Sequence, residues 1–222
     1  MKKILLLLLG GIGDSLLFTP TISALRKIYP EAKITALARD KPVKAMLERN
    51  KQVDEILHYP FLQAGYIKSL LYVLKLRKEK YDLSILAYPA NRMQHNIISF
   101  LIGAKKRLGH IYEIKNLLSL NFLHTKKLKI RYHRHCIDEN LTLLRLLGID
   151  PKQCKRKLTF TLTKKEENYA QEYFKKHHIQ EKDLVIGMHP GSSKLAGMMN
   201  KRWPKEKYAA LADKLIKKKK AK

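Results

Sequence analysis

One short segment near the N-terminus restricts the fold more than any other feature of this sequence. Lys2 and Lys3 precede an apolar run, residues 4–9, that ends at Gly10 and Gly11. A run of this kind is typical of a parallel strand buried on both faces of a sheet. The glycines and Asp14 interrupt it too early for a secretory signal or for a membrane span, which needs about 18 apolar residues. We therefore expect a soluble, cytoplasmic protein.

The rest of the chain alternates short apolar runs with amphipathic stretches. This alternation predicts an α/β fold in which helices cover a parallel sheet. Pro20 either kinks the first helix or lies at the start of a new helix that Thr19 caps. The predicted strands are residues 3–9, 33–38, 55–59, 82–88, a short one near Arg107, 158–163 and 184–189. The predicted helices are residues 15–28, 42–49, 66–77, 91–102, 137–147, 164–178 and a last one that Pro204 opens.

The distribution of these elements predicts two domains of unequal completeness. Residues 1–163 form a complete Rossmann-like domain, whereas residues 164–222 contain a linker helix and a single strand–loop–helix. A lone strand and helix cannot bury a core, so we expect the second domain to be truncated. Repeated lysine codons can be A-rich and slip, and the run at residues 217–220 therefore leads to the hypothesis of a frameshifted or split gene.

The charge of the chain is strongly positive. The 222 residues include 46 Lys+Arg and 19 Asp+Glu, a formal net charge of +27, which attracts phosphate on nucleic acid, anionic lipid or a nucleotide-linked substrate. A hydrophobic content of 45% excludes charge-driven disorder. Cys136 and Cys154 are too few for a disulfide framework and indicate a reducing compartment. The basic residues are dispersed, which disfavours a nucleic-acid-binding module.

The first candidate site is the glycine turn after the first strand. Gly11 and Gly13 allow a tight turn and let a ligand approach the backbone at a helix N-terminus. Position 16 is Leu16, so the G-x-G-x-x-G fingerprint of dinucleotide binding is incomplete and NAD binding is not expected. The turn presents Asp14 at the carboxyl end of a strand. This residue is either a catalytic carboxylate or a cap of the first helix.

The second candidate site lies between the last predicted strand and the last helix. Ser192, Ser193 and Lys201 belong to a loop rich in hydroxyls, backbone N–H groups and cations. Such a loop suits a diphosphate, although it has no G-K-[ST] and is not a Walker loop. The alternative is a plain glycine–serine turn with solvated lysines.

Two other polar stretches have weaker implications. Asn91 and Arg92 follow the fourth strand at the same sheet edge as Asp14, where they either contact an acceptor or cap a helix. His133 and His135 precede Cys136, but two histidines at this spacing point to opposite sides of a strand, and Cys154 is far away in sequence. We therefore expect no metal site.

The order of several motifs resembles the family 9 glycosyltransferases, which include the ADP-heptose:lipopolysaccharide heptosyltransferases. The matches occur in sequence order across nearly the whole chain, and the ordered set is more specific than any single motif. The matching stretches are residues 11–17 (GIGDSLL), Thr19-Pro20, 24–26 (ALR), Tyr29-Pro30, Ile34-Thr35, 103–109 (GAKKRLG), 143–149 (LLRLLGI), 189–192 (HPGS) and 201–204 (KRWP).

The resemblance implies a GT-B arrangement of two Rossmann-like domains, with the acceptor held mainly by the first and the nucleotide-sugar by the second. It implies that Asp14 is the catalytic base of an inverting transfer. It also implies that Lys201, Ser192 and Ser193 contact the donor diphosphate, with no metal and no cofactor. The family's pocket for the nucleotide base and ribose lies beyond the end of this sequence.

The function implied by the resemblance is transfer of a heptose from ADP-heptose to the inner core of lipopolysaccharide. The partners would be that donor, the lipopolysaccharide core with lipid A as acceptor, and the anionic inner face of the cytoplasmic membrane, where the protein would be peripheral; no nucleic acid is expected. The truncation predicts that residues 1–222 are inactive alone. The alternatives are a non-catalytic remnant and a basic protein that binds nucleic acid or an anionic surface.

Overall fold

The structure, a computed structural model, describes residues 1–112, 116–192 and 198–222. The backbone divides into two compact units, Met1–Thr161 and Leu162–Lys222, each described by itself. The acceptor-side and donor-side roles that the sequence analysis assigned to residues 1–163 and 164–222 stay predictions. In the described residues, none of the helices has both the length and the apolar character needed to cross a membrane.

The first unit is built on a parallel sheet of six strands. Their order across the sheet is β3-β2-β1-β4-β5-β6, the order of a doubly wound Rossmann sheet. The strands are β1 (Lys3–Leu8), β2 (Lys33–Ala38), β3 (Glu55–His58), β4 (Leu83–Leu86), β5 (Lys106–Ile111) and β6 (Lys126–Lys129). The predicted α/β fold class is therefore confirmed.

The helices cover both faces of this sheet or belong to the second unit. In the first unit they are α1 (Ile12–Leu17), α2 (Thr19–Ile28), α3 (Lys41–Leu47), α4 (Phe61–Ala64), α5 (Tyr66–Arg77), α6 (Met93–Ile102), α7 (Asn116–Ser119) and α8 (Cys136–Thr142). The second unit contains α9 (Lys164–Lys176) and α10 (Lys205–Lys219). Short 3₁₀ turns lie at Asn121–Leu123, Leu143–Leu147, Pro151–Gln153 and Met198–Lys201.

Strand β1 is the centre of the core because its side chains alternate between two apolar clusters. Ile4, Leu6 and Leu8 pack into the cluster on one face of the sheet. Leu5 and Leu7 pack into the cluster on the other face, and all five side chains are fully buried. The continuous apolar run of the sequence is thus the two-sided burial of a central parallel strand.

The first predicted helix is two helices. Helix α1 ends at Leu17, Phe18 links the two, and Pro20 lies in the first turn of α2, where its missing N–H costs nothing. The Thr19 hydroxyl donates a hydrogen bond of 2.8 Å to the carbonyl oxygen of Leu16. The chain therefore restarts a helix near Pro20, although Phe18 and not Thr19 occupies the N-cap position.

Two predicted strands are wrong and one strand was missed. Residues 158–163 form no strand, and the side chains at alternate positions are 39 to 53% exposed, so no sheet face covers them. Residues 184–189 form no strand either, because among the described residues their backbone bonds only to Lys222, which contacts Leu184 and Ile186. The missed strand, β6, contains three lysines and one leucine and pairs with β5 at the sheet edge, where lysine is common.

Candidate active site

The topology singles out one place on the sheet edge. The chain passes from β1 outward to β2 and β3, then returns to β4 on the other side of β1. Doubly wound sheets bind ligands at such a switch point, outside the carboxyl ends of the strands. Asp14 follows β1, and Asn91 and Arg92 follow β4, so the candidate residues of the first unit flank this switch point.

Asp14 is the third residue of α1 and turns back toward the start of its own helix. Its Oδ2 accepts a hydrogen bond of 2.9 Å from the backbone N–H of Gly11, the N-cap residue. The side chain is half-buried. Its second oxygen, Oδ1, accepts no hydrogen bond from the described residues. Asp14 thus caps the helix with one oxygen, and its role as a catalytic base stays a prediction.

Gly10 is the glycine that allows this position of Asp14. A Cβ at residue 10 would lie 2.9 Å from both Cβ and Oδ2 of Asp14, closer than real Cβ contacts allow. At Gly11 the nearest such atom is 3.6 Å away, and at Gly13 no heavy atom lies within 4 Å. A Cβ at Gly11 would thus make an ordinary van der Waals contact, and only Gly13 of these three glycines borders open space. The steric role of Gly10 was not predicted, and its only signal in the sequence is the glycine pair directly after the strand.

The charge of Asp14 affects the pKa of two side chains from distant parts of the chain. Burial raises the pKa of Tyr88, which follows β4, and of Cys136, the first residue of α8, and the Asp14 carboxylate raises both further. Asn140 joins these two segments: its Oδ1 accepts from the Tyr88 N–H at 2.8 Å, and its Nδ2 donates to the Cys136 carbonyl at 3.0 Å. The Asn140 side chain is fully buried, so it rigidly connects the walls around Asp14.

Asn91 and Arg92 lie at the N-terminus of α6. Arg92 is the N-cap residue, but its exposed side chain makes no capping hydrogen bond, so the capping alternative fails for it. Asn91 has a buried Oδ1 that no hydrogen-bond donor of the described residues reaches. Burial, and then the charges of Arg92 and Arg39, lower the pKa of His95 to about 4. Contact of Asn91 and Arg92 with an acceptor stays a prediction.

A buried acid holds the segment before α8. Oε1 of Glu139 accepts from the Arg131 N–H at 3.2 Å and lies 3.3 Å from Nη1 of Arg134. Burial raises the pKa of Glu139, and burial lowers that of His110, 3.6 Å away, to about 4. His110 is therefore neutral near pH 7 and does not form an ion pair with Glu139. The two arginines supply the charge that balances the buried carboxylate.

The histidines at residues 133 and 135 do not gather into a metal site. Nδ1 of His135 accepts a hydrogen bond of 3.2 Å from the Ile137 N–H and so caps α8. Within residues 1–112, 116–192 and 198–222, no group of three or more His, Cys, Asp or Glu side chains could hold a metal ion.

In the second unit, an arginine organises the predicted diphosphate loop. Nε of Arg202 donates to Oγ of Ser192 at 2.9 Å, and Nη2 donates to the Ser192 carbonyl at 2.6 Å. Lys201 is exposed at the end of the 3₁₀ turn Met198–Lys201. Ser193 lies outside the described residues. No separate role was predicted for Arg202, whose hydrogen bonds to Ser192 join the two ends of the loop.

Comparison with known proteins identifies the family. The model of glycosyltransferase family 9 (heptosyltransferase) matches residues 72–221, more than half of the chain. The chain belongs to glycosyltransferase family 9. The resemblance on which the sequence analysis relied is therefore confirmed.

The individual relatives are distant. Lipopolysaccharide heptosyltransferase 3 of Escherichia coli (strain K12) is 26% identical over 217 residues, which cover 91% of this chain and 57% of that protein. A second protein of that name from Escherichia coli is 28% identical over 144 residues, 62% of this chain and 41% of its own length. The chain thus spans about half the length of the curated relatives it matches.

Two solved structures have the same fold. A family 9 glycosyl transferase from Veillonella parvula DSM 2008 superposes with a TM-score of 0.70 at 25% identity, covering 97% of this chain and 60% of that chain. The E. coli heptosyltransferase WaaC with ADP superposes with a TM-score of 0.65 at 15% identity, covering 96% and 63%. The likeness confirms the GT-B type of the predicted fold, whereas the predicted truncation and inactivity stay predictions.

Proposed function

We propose that this family 9 glycosyltransferase transfers a heptose from ADP-heptose to the inner core of lipopolysaccharide. The observation that carries the proposal is the geometry of Asp14 beside the switch point: one carboxylate oxygen is bonded to the Gly11 N–H, and the other has no hydrogen-bond partner in the part of the chain that the structure describes. A positioned carboxylate of this kind is suited to general base catalysis.

The proposed chemistry is a single displacement. The acceptor hydroxyl gives its proton to Oδ1 of Asp14 while its oxygen forms a bond to the anomeric carbon of the heptose. The bond from that carbon to the diphosphate oxygen breaks, and ADP departs with the electron pair. Attack opposite the leaving group inverts the configuration at the anomeric carbon.

The second unit would stabilise the leaving group. Negative charge grows on the diphosphate as the bond breaks, so donors already in place favour the transition state. We assign this role to the Lys201 ammonium group with the hydroxyls of Ser192 and Ser193. Arg202 supports the assignment because its two hydrogen bonds to Ser192 fix the start of the loop. On this assignment the reaction requires no metal ion.

The acceptor side would use the basic residues of the first unit. Lipopolysaccharide core carries phosphate groups, and Arg92 lies exposed beside the switch point. We propose that Asn91 and Arg92 contact the acceptor, which is presented at the anionic inner face of the cytoplasmic membrane. The formal net charge of +27 supports this location, since each basic residue near such a surface contributes about 1 kcal/mol to binding.

The test compares Asp14→Asn with Asp40→Asn, in the longest form of the protein that its gene encodes. Asp40 is a matched control because it also follows a strand and caps a helix, accepting from the Val43 N–H at 3.1 Å. An asparagine at residue 14 can still accept from Gly11, so capping is kept and only the base is lost. We expect turnover of ADP-heptose to fall by about 10²-fold or more in Asp14→Asn and to stay within about threefold in Asp40→Asn.

Two results would contradict the proposal. A change of less than about threefold in Asp14→Asn means that the residue is only a cap. Equal losses of turnover in both variants mean that helix capping, and not proton transfer, explains the effect.

A further inference from the structure

Helix α5 has an apolar face that the first unit leaves uncovered. Val73 and Leu76 on its inner side pack into the core cluster with the side chains of β1. On the outer side, four further apolar residues follow the i, i+3, i+4, i+7 spacing of a single helical stripe. They are Ile67, Leu70, Leu71 and Leu74, which are 78, 45, 63 and 40% exposed.

Further exposed apolar side chains lie next to the stripe. Tyr66, the first residue of α5, is 91% exposed beside it, and Met93 at the start of the neighbouring α6 is 44% exposed. Isolated exposed apolar residues need no explanation, whereas a continuous apolar patch marks a surface that binds a protein or a membrane.

Charge decides between these partners. Residues 56–78 contain no Asp or Glu, and Lys68, Lys75 and Lys78 are exposed on α5 or directly after it. Lys68 and Lys75 are seven residues apart and therefore lie on the same flank of the stripe. Lysine side chains can bury their methylene groups while their ammonium groups stay in water. An apolar stripe flanked by such lysines is typical of a helix that lies on an anionic membrane surface.

The orientation of α5 places one end of the stripe at the sheet edge that carries the candidate site. The helix connects the parallel strands β3 and β4, so it runs antiparallel to them and its N-terminus lies at the carboxyl edge of the sheet. Tyr66 is therefore at the same edge as Asp14 and Arg92. A bilayer that touches the stripe would present a lipid-anchored acceptor to this edge.

We infer that the stripe formed by Ile67, Leu70, Leu71 and Leu74, with Lys68 and Lys75, docks the protein on an anionic lipid bilayer. The inference deepens the proposed function, on which it rests only for the identity of the membrane. Docking itself needs neither donor nor acceptor sugar, so the two can fail separately.

The experiment is flotation of the purified protein with vesicles that contain no lipopolysaccharide. One set is phosphatidylcholine alone, and the other contains 30% phosphatidylglycerol. We expect binding to the anionic vesicles that falls about tenfold or more in the double variant Ile67→Ser/Leu71→Ser. Leu211→Ser/Ile216→Ser is the matched control, because these side chains of α10 are 39 and 56% exposed, and it should bind as the unaltered protein does.

A second pair of variants tests the charge. Lys68→Gln/Lys75→Gln should weaken binding to anionic vesicles by about fivefold per lysine. Lys165→Gln/Lys175→Gln on α9 removes the same net charge and should have a smaller effect. All four substituted residues are exposed, so the fold is retained, and circular dichroism checks it.

Three outcomes would overturn the inference. The first is equal binding of Ile67→Ser/Leu71→Ser and its control. The second is equal binding to neutral and anionic vesicles. The third is a dimer in sedimentation velocity that this variant abolishes, which would make a second copy of the chain the partner of the stripe. If the longest form of the protein that its gene encodes binds these vesicles but transfers no heptose from ADP-heptose, the proposed function is refuted and the docking surface is still supported.

Discussion

Replacement of Gly10 by alanine tests whether the position of Asp14 matters. The added Cβ would lie 2.9 Å from Cβ and Oδ2 of Asp14, whereas ordinary contact begins near 3.4 Å. The carboxylate must therefore retreat by about half an ångström or more. Because a misplacement of about 1 Å at a catalytic group costs about 10²-fold, we expect turnover to fall between about tenfold and 10²-fold, equal to about 1.4 to 2.7 kcal/mol of transition-state stabilisation.

The assay is a double-mutant cycle with steady-state transfer from ADP-heptose. If Gly10→Ala acts by moving Asp14, it should reduce turnover further by less than about threefold in an Asp14→Asn background, because the base is already absent. Urea unfolding of both single variants checks that the fold survives. The reasoning would be refuted if Gly10→Ala reduced turnover by the same factor in the unaltered protein and in Asp14→Asn. Full activity of Gly10→Ala would refute it as well.

Three other perturbations have defined outcomes. Gly109→Ala places a Cβ into the ring of His124 and should cost about 1 to 3 kcal/mol of unfolding free energy in urea titrations, whereas Gly187→Ala, with no heavy atom within 4 Å, should cost far less; equal costs would contradict the steric argument. Burial lowers the pKa of His124 to about 4 from an unfolded value near 6.5, so stability should be fully present above pH 6.5 and fall by on the order of 3 kcal/mol as the pH drops toward 4. A flat urea midpoint between pH 7 and pH 5, or no smaller pH dependence in His124→Gln, would count against this. Lys201→Ala should raise KM for the donor and lower kcat, and Lys205→Ala should change neither. Equal effects of the two substitutions would mean that only the overall positive charge of the region contributes.

The sequence predicted the centre of the sheet better than the edge that β6 forms. β1 was recognisable because both of its faces are buried, and burial on both faces requires a continuous run of apolar residues. β6 was not recognisable, since an edge strand in contact with solvent can be built from lysines. Residues 184–189 have the apolar pattern of a strand, but a strand also needs a partner, and their backbone bonds only to Lys222 among the described residues.

The same division holds for the site. Asp14, Asn91 and Arg92 could be assigned to one sheet edge from sequence because the carboxyl ends of parallel strands meet there. Asn140 could not, because its bond to Tyr88 joins residues 52 positions apart, and no local pattern records such a contact. The role of Gly10 depends on a distance to Asp14 that only three-dimensional coordinates supply.

The sequence left Asp14 as either a helix cap or a catalytic base, and the geometry shows that these roles are compatible. A carboxylate has two oxygens, and here Oδ2 is occupied by the Gly11 N–H while Oδ1 is not bonded to the described residues. The cap prevents the side chain from rotating, since rotation would break a hydrogen bond at a helix end where N–H groups have no other partner. Capping therefore orients the free oxygen, and a base that was not a cap would have to be held in place by some other contact.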